Sequence, residues 1–180
     1  FEEGLPEGFK LAYLPQIAQV RLRITGTGTD EAALHQILDE KADIIKARFA
    51  DIIYGYGTET LEGAIGKMLK ERGLKLTTAE SCTGGYMAHR ITSVAGSSEY
   101  FVGSVIAYAN EVKMQILGVK PETLDTHGAV SEQTVIEMAE GAVKVLPADV
   151  AIAISGIAGP GGGSDTKPVG LAWIAVSNGQ

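Results

Sequence analysis

Residues 76–85 read LTTAESCTGG, and this stretch decides the fold around it. The apolar run over residues 74–79 favours a β-strand and the run over 86–94 favours a helix, so a strand passes directly into a helix. Ser81 lies at that junction, where the first N–H groups of the helix have no acceptor within the helix. These donors and the positive end of the helix dipole favour negative charge. A serine here is therefore a candidate nucleophile, with the same donors binding the oxyanion that it generates.

Two other roles remain open for this stretch. Serines that precede helices are most often N-caps, and Ser81 taken by itself favours that role. Cys82 is a rival nucleophile, because a helix N-terminus lowers the pKa of a thiol. A small buried cysteine that only packs is the more common case. None of the three histidines, His35, His89 and His127, shows a recognisable pairing with Cys82.

The segments around the junction predict two domains. Residues 18–25 alternate apolar and polar residues, which predicts a strand, and Asp30 is a suitable N-cap for a helix over residues 31–49. Residues 52–54 predict a short second strand, so residues 1–58 are expected to form a small α+β module with the order strand–helix–strand. From residue 59 to residue 180 helices and strands alternate, which predicts a layered α/β/α sandwich around a mixed sheet.

Cap and turn residues set the expected boundaries in the second domain. We expect helices over residues 61–72, 110–117 and 132–146, capped by Thr60, Asn110 and Ser131, and strands over residues 102–108, 150–154 and 171–176. The apolar run at 150–154 is typical of a strand buried on both faces. A glycine-rich loop over residues 156–170 follows that strand.

Three further positions carry functional residue types. Lys113 falls in the first turn of the expected helix, where the dipole and partial burial would lower the pKa of its amine and suit it as a base. A solvated surface lysine is the simpler alternative. The loop after Ser155 lies beyond a strand end, where open α/β sheets bind ligands, and its amides can approach a phosphate; a flexible surface loop has the same composition. Lys167 either contacts an anionic ligand or occupies a turn.

Composition restricts the classes of function. The 180 residues are 45% hydrophobic and 21% charged, with a formal net charge of −7. The acidic balance argues against a general nucleic-acid surface and permits a small anionic ligand in a local basic pocket. Cys82 is the single cysteine, so an internal disulfide is impossible, as expected in a reducing cytoplasm. No apolar stretch of the sequence is long enough to span a bilayer. Both ends look like cuts in a longer protein.

Six motifs occur in a fixed order: TAESCTGG (78–85), AGSS (95–98), YANEVK (108–113), GAVSE (128–132), SGIAGP (155–160) and KPVG (167–170). Together they resemble the C-terminal domain of CinA, the competence/damage-inducible protein family, over residues 60–180. Residues 14–25 resemble the small KH-like module that precedes this domain in the family.

The resemblance implies a nicotinamide mononucleotide deamidase of the pyridine nucleotide cycle, which produces nicotinic acid mononucleotide and ammonia. It implies a serine–lysine pair without metal or cofactor, with Ser81 as nucleophile, Lys113 as base, and Tyr108 and Ser155 in supporting roles. Relatives often have threonine at the position of Ser155. The positions expected to bind the oxyanion or the substrate are Cys82, Thr83, Gly84, Asn110, Gly156, Gly159, Gly161 and Lys167.

The resemblance also implies a homodimer or larger assembly. From the composition we expect a cytoplasmic protein that binds neither nucleic acid nor membrane. A non-catalytic alternative is a pyridine-nucleotide-binding module in a competence or DNA-damage response. The family's molybdopterin-binding-like domain and its ADP-ribose pyrophosphatase activity are not expected in this chain. Members of the family continue past the last strand into a segment with a functional arginine and a closing helix, and this sequence stops at residue 180.

Overall fold

The computed structural model describes residues 1–179, which form two compact units that divide after Tyr54. In the first unit, β1 (Phe9–Gln16) and β2 (Gln19–Gly26) form an antiparallel hairpin, and α1 (Glu31–Arg48) follows. Asp30 caps α1 as predicted, since its carboxylate accepts the N–H of Ala33 at 3.1 Å. Among residues 1–179, no helix has both the length and the apolar character needed to cross a membrane.

The first unit is a small α+β module, as predicted, but its element order is strand–strand–helix. The strand predicted at residues 52–54 is wrong, because the N–H groups of Ile52 and Ile53 both donate to the Phe49 carbonyl and close a turn after α1. The strand that pairs with β2 is β1 instead. Its two-residue hairpin turn, Ile17-Ala18, lacks the glycine or asparagine that marks such turns, although Ala18 has a φ of +62°.

The second unit is a layered α/β/α sandwich, as the alternating pattern predicted. Its mixed sheet has the order β4–β3–β5–β6, with β3 parallel to β4 and to β5, and β6 antiparallel to β5. The strands are β3 (Leu76–Glu80), β4 (Phe101–Ile106), β5 (Val150–Gly156) and β6 (Ala172–Ser177). The helices are α2 (Leu61–Arg72), α3 (Tyr86–Thr92), α4 (Asn110–Leu117), α5 (Pro121–His127) and α6 (Glu132–Val145).

Two hydrophobic clusters fill the spaces on either side of this sheet. On one face, α6 and α4 pack against small residues of the strands, among them Ala79, Ala151 and Ala153. On the other face, Leu69 of α2 and Ile91 of α3 pack against Leu76. The small side chains of the strands on the first face allow α6 to lie close to the sheet. The loops at the edge of the sheet are therefore close together.

The prediction that β5 is buried on both faces is wrong. Ala151, Ala153 and Ser155 are fully buried, whereas Ile152 and Ile154 are half-buried. Helices α2 and α3 contribute to a cluster that includes Ile152, but the neighbouring strand β6 leaves apolar side chains exposed on its surface, including Ile174 and Val176.

The strand order places the Ser81 junction at a switch point of the sheet. From β3 the chain crosses to β4 on one side, and the next strand, β5, lies on the other side of β3. Because β3, β4 and β5 are parallel, their carboxyl ends share one edge of the sheet. Open α/β sheets bind ligands at this kind of position, outside the strand ends where the order reverses.

Candidate active site

The Ser81 turn, residues 81–85, connects β3 to α3 and is tied to the sheet. The N–H of Ser81 donates to the Ile154 carbonyl of β5 at 3.0 Å, and the N–H of Gly84 donates back to the Ser81 carbonyl at 3.1 Å. Gly84 and Gly85 have φ values of +58° and +101°, a conformation that glycine adopts without strain. The turn presents Ser81 at the switch point, with the residue 8% exposed.

Lys113 reaches Ser81 from α4. Its Nζ lies 3.0 Å from Ser81 Oγ, 2.7 Å from the Ala107 carbonyl oxygen and 3.0 Å from the Tyr108 carbonyl oxygen. The residue is 1% exposed, so the alternative of a solvated surface lysine is excluded. A buried lysine amine is thus held against a serine hydroxyl.

Lys113 Nζ donates to three oxygen atoms, those of Ser81 Oγ and the two carbonyls, and loss of one proton would leave both carbonyl contacts in place. A neutral Lys113 has two N–H groups, which the two carbonyls accept, and one lone pair, which can accept the Ser81 hydroxyl proton. Burial lowers the pKa of the Lys113 ammonium, and a weaker interaction with Cys82 raises it. Desolvation disfavours the charged form of a lysine, so the site favours the form of Lys113 that can take up a proton.

The predicted cap of α4 is wrong by one residue. Ala109 is the N-cap and Asn110 is the first helical residue. The reason is that the backbone N–H of Lys113 donates to the Ala109 carbonyl at 3.2 Å, while its Nζ donates to the carbonyls of Ala107 and Tyr108. The Asn110 side chain is exposed, and the segment before α4 is organised by Lys113.

Glu80 is the site residue that sequence reasoning missed. Its side chain is 0% exposed, and it accepts the N–H groups of Gly85 at 3.1 Å, Met87 at 3.0 Å and Ala88 at 2.8 Å. The free amides of α3 are therefore occupied, and the prediction that this helix start binds the oxyanion is wrong for these three donors. A charged residue in a buried strand needs several hydrogen-bond partners. The glutamate at the end of this apolar run was therefore the sequence signal for a structured carboxylate.

The amides of Cys82 and Thr83 directly follow Ser81 in the chain and are not among those that Glu80 binds. Burial, followed by the charge of Glu80, raises the pKa of the Cys82 thiol, whereas the N–H groups of Cys82 and Thr83 lower it. These two amides therefore already favour negative charge at the sulfur position. Within residues 1–179, the Thr83 hydroxyl oxygen is buried without a hydrogen-bond partner.

The other predicted residues divide into those close to the pair and those engaged elsewhere. Tyr108 contributes its carbonyl, whereas its side chain is 74% exposed. Gly156 lies beside the turn, since a Cβ on it would lie 3.1 Å from Cys82 Sγ. The Ser155 hydroxyl donates to the Ala129 carbonyl at 2.7 Å instead of reaching Ser81.

The remaining predicted residues belong to the glycine-rich loop. Lys167 Nζ donates to the His127 carbonyl at 2.6 Å, which ties the loop to the end of α5. Gly159 lies against Val169, since a Cβ on it would approach Val169 Cγ1 to 2.5 Å, and Gly161 is exposed. In the described part of the chain, no group of three or more His, Cys, Asp or Glu side chains could hold a metal ion.

The assembled groups are a hydroxyl, a buried amine and two amide donors. This set can perform acyl transfer, in which a hydroxyl attacks a carbonyl carbon, a base takes the proton and the amides bind the oxyanion.

Comparison with known proteins identifies both units. Residues 58–180 match the family described as CinA C-terminal domain, and residues 4–55 match the Damage-inducible protein CinA KH domain. A CinA-like protein from Cytophaga hutchinsonii is 44% identical over 178 residues, which cover 99% of this chain and 43% of that protein. A CinA-like protein from Chloroherpeton thalassium is 47% identical, covering 96% of this chain and 41% of that protein. The chain thus spans about two fifths of these relatives.

Two solved structures share the fold of the larger unit. The competence/damage inducible protein CihA from Agrobacterium tumefaciens has a TM-score of 0.64 and 47% identity, covering 65% of this chain and 71% of that chain. The competence damage-inducible protein A (ComA) from Klebsiella pneumoniae has a TM-score of 0.62 and 44% identity, covering 64% of this chain and 73% of that chain.

Proposed function

The chain belongs to the CinA family, and we propose that residues 59–180 act as a nicotinamide mononucleotide deamidase with Ser81 as nucleophile and Lys113 as base. The single observation that carries the proposal is the contact of 3.0 Å between Lys113 Nζ and Ser81 Oγ. A serine hydroxyl is a weak nucleophile at neutral pH, and an adjacent base makes it reactive. The buried amine supplies that base.

Acylation is the first half of the reaction. Ser81 Oγ attacks the carbonyl carbon of the nicotinamide carboxamide while its proton moves to Lys113 Nζ. The carbonyl oxygen becomes an oxyanion, which the N–H groups of Cys82 and Thr83 bind. The C–N bond then breaks, and ammonia leaves with the proton from Lys113. Ser81 is left as an ester of the nicotinic acid group.

Deacylation uses the same groups. Water attacks the ester carbonyl and gives a proton to Lys113, the same two amides bind the second oxyanion, and the C–Oγ bond breaks as the proton returns to Ser81. The net reaction consumes one amide and one water and yields one carboxylic acid and one ammonia. The same two amides serve acylation and deacylation. Removal of one oxyanion donor in such sites raises the barrier by about 3 kcal/mol.

The proposal includes a place for the rest of the substrate. The loop over residues 157–171 follows the carboxyl end of β5, whose last residue, Gly156, lies beside Cys82, and we propose that the exposed glycines of the loop and Lys167 bind the phosphate. We further propose that the protein works in the cytoplasm and that it forms a homodimer or larger assembly. Sedimentation of the purified chain would test the oligomeric state.

The decisive experiment measures ammonia and nicotinic acid mononucleotide released from nicotinamide mononucleotide. Ser81→Ala is expected to abolish turnover, whereas Cys82→Ala retains it, because Cys82 contributes its amide and not its sulfur. Ser98→Ala, at an exposed serine between α3 and β4, is the matched serine control. Labelling by a fluorophosphonate, which acylates activated serines, is expected on Ser81 and is lost in Lys113→Met.

The outcomes separate the alternatives. Turnover by Ser81→Ala, or its loss in Cys82→Ala with Ser81 intact, would contradict the serine mechanism. Binding of the nucleotide without ammonia release and without fluorophosphonate labelling would instead favour a non-catalytic nucleotide-binding module.

A further inference from the structure

We propose that Glu80 is the positioning residue of the Ser81 turn: its carboxylate fixes the direction of the Cys82 and Thr83 N–H groups. The catalytic part of this inference rests on the proposed function. Glu80 is the last residue of β3 and directly precedes Ser81. It is fully buried at the carboxyl edge of the sheet.

The carboxylate joins the two ends of the turn. Oε2 accepts the N–H groups of Gly85 and Met87, and Oε1 accepts that of Ala88. Oε1 also accepts a longer hydrogen bond, 3.4 Å, from Thr78 Oγ1. Hydrogen bonds to ionised acceptors are about twice as strong as neutral ones, and a buried carboxylate that loses its partners is strongly unfavourable. Any opening of the turn therefore strips partners from a buried charge.

Glu80 also determines which amides of the turn stay available. Each of the following N–H groups has an acceptor: Ser81 to Ile154, Gly84 to Ser81, Tyr86 to Thr83, and Gly85, Met87 and Ala88 to Glu80. The N–H groups of Cys82 and Thr83 are left, and they act on the Cys82 sulfur position. These two N–H groups are the ones that the proposed mechanism assigns to an oxyanion formed at Ser81.

Glu137 provides a matched control in the same unit. Its Oε2 accepts the N–H of Lys120 at 2.9 Å and its Oε1 accepts the Thr123 hydroxyl at 2.9 Å. It therefore holds the start of α5 with a carboxylate, as Glu80 holds the start of α3. Loss of a helix-holding carboxylate can thus be compared at two places, and one of them is not connected to Ser81 by these bonds.

The experiment compares Glu80→Gln and Glu137→Gln in the full chain. Glutamine keeps the size of the side chain but turns one acceptor oxygen into an NH₂ donor that faces backbone donors. For Glu80→Gln we expect kcat to fall about 100-fold, the size of loss that a misplaced catalytic group causes, with KM for nicotinamide mononucleotide little changed. Amide hydrogen exchange should accelerate at Gly85, Met87 and Ala88. Glu137→Gln should accelerate exchange at Lys120 and leave kcat unchanged.

Two additional measurements keep the test decisive. Glu80→Asp retains the charge but retracts it by one methylene, and it should show a smaller loss of kcat if Glu80→Gln folds poorly. Because the charge of Glu80 helps to raise the pKa of Cys82 after burial, Glu80→Gln should also react faster with iodoacetamide at a fixed pH. This measurement needs no deamidase activity, so it tests Glu80 even if the wild-type chain releases no ammonia.

The inference would be overturned by either of two results. Equal losses of kcat in Glu80→Gln and Glu137→Gln would reduce Glu80 to a general stabiliser of the fold. Unchanged exchange at Gly85, Met87 and Ala88, together with unchanged alkylation of Cys82, would show that Glu80 does not hold the turn.

Discussion

The Ser81 turn and the loop over residues 157–171 follow adjacent parallel strands and are both rich in glycine, yet they are held in different ways. The turn is short and is bound to a buried carboxylate and to β5. The loop is largely exposed and closes on itself, since Ile157 donates to Leu171 and Gly170 donates to Ile157. Among its side chains, Lys167 reaches out to α5.

The difference shows that the Ser81 turn, and not the loop, is the preorganised part of this edge of the sheet. Groups that must stabilise a transition state have to be in place before the reaction, because reorganisation during it adds to the barrier. Groups that only bind a substrate can adjust. The comparison therefore predicts that changes in the turn act on kcat and stability, whereas changes in the loop act on KM.

Replacing Lys113 or Lys167 by methionine is expected to give the largest contrast between the turn and the loop. Lys113→Met should lower kcat about 1,000-fold, within the range that general bases contribute. Lys167→Met should raise KM about 10-fold with little change in kcat, because it removes one charge from a substrate site. Steady-state ammonia release measures both. A loss of kcat in Lys167→Met as large as that in Lys113→Met would break the division between turn and loop.

Glycine-to-alanine substitutions test the comparison between turn and loop through the free energy of unfolding. Gly85 has a φ of +101°, and a Cβ on it would lie 3.0 Å from Ile106 Cδ1, so Gly85→Ala combines backbone strain with a close contact. We expect it to lower the free energy of unfolding by about 2 kcal/mol. Gly161 has open space around its Cβ position, and Gly161→Ala should be neutral or stabilising by about 0.5 kcal/mol. Urea unfolding tests the pair, and equal destabilisation would contradict it.

Local features of the fold could be predicted from the sequence, whereas features that depend on distant residues could not. Thr60 and Ser131 cap their helices as expected, because a cap requires only residues three positions apart. The N-cap of α4 is Ala109, one residue before the predicted cap Asn110, since Lys113 organises the segment before the helix. The β1–β2 hairpin was missed because Ile17-Ala18 carries no turn signal.

The candidate site shows the same limit. Ser81 and Lys113 are 32 positions apart, and no periodicity connects them; the ordered motifs of a family did. A glutamate at the end of a buried strand signals a need for partners, but which amides Glu80 binds depends on residues beyond the turn, so its role could not be predicted from the sequence. The surroundings of Ser155 are likewise tertiary, since its partner, Ala129, comes from the loop before α6.

The smallest expected effect is a dependence of stability on pH that arises in the site alone. Burial lowers the pKa of Lys113 in the folded state, whereas the unfolded chain has the ordinary lysine value of about 10.4. Between these two values the unfolded state binds more protons, so the contribution of Lys113 to stability rises with pH, by about 1.4 kcal/mol for each unit of the shift. Below the folded pKa, both states are protonated and the cost of burying the charge is fully present.

The measurement uses urea unfolding at several pH values for Cys82→Ala and for Cys82→Ala combined with Lys113→Met. Removal of the thiol from both proteins leaves Lys113 as the difference between them. The free energy of unfolding of the lysine-containing protein should increase relative to that of the Lys113→Met protein as pH rises through this window.

The rate of ammonia release should rise over the lower part of the same window, because a base acts only after it has lost its proton. Lys167→Met in the same background should show neither change. A constant difference in stability across the window would mean that the Lys113 amine ionises as it does in water, and the site would then lack its neutral base at neutral pH.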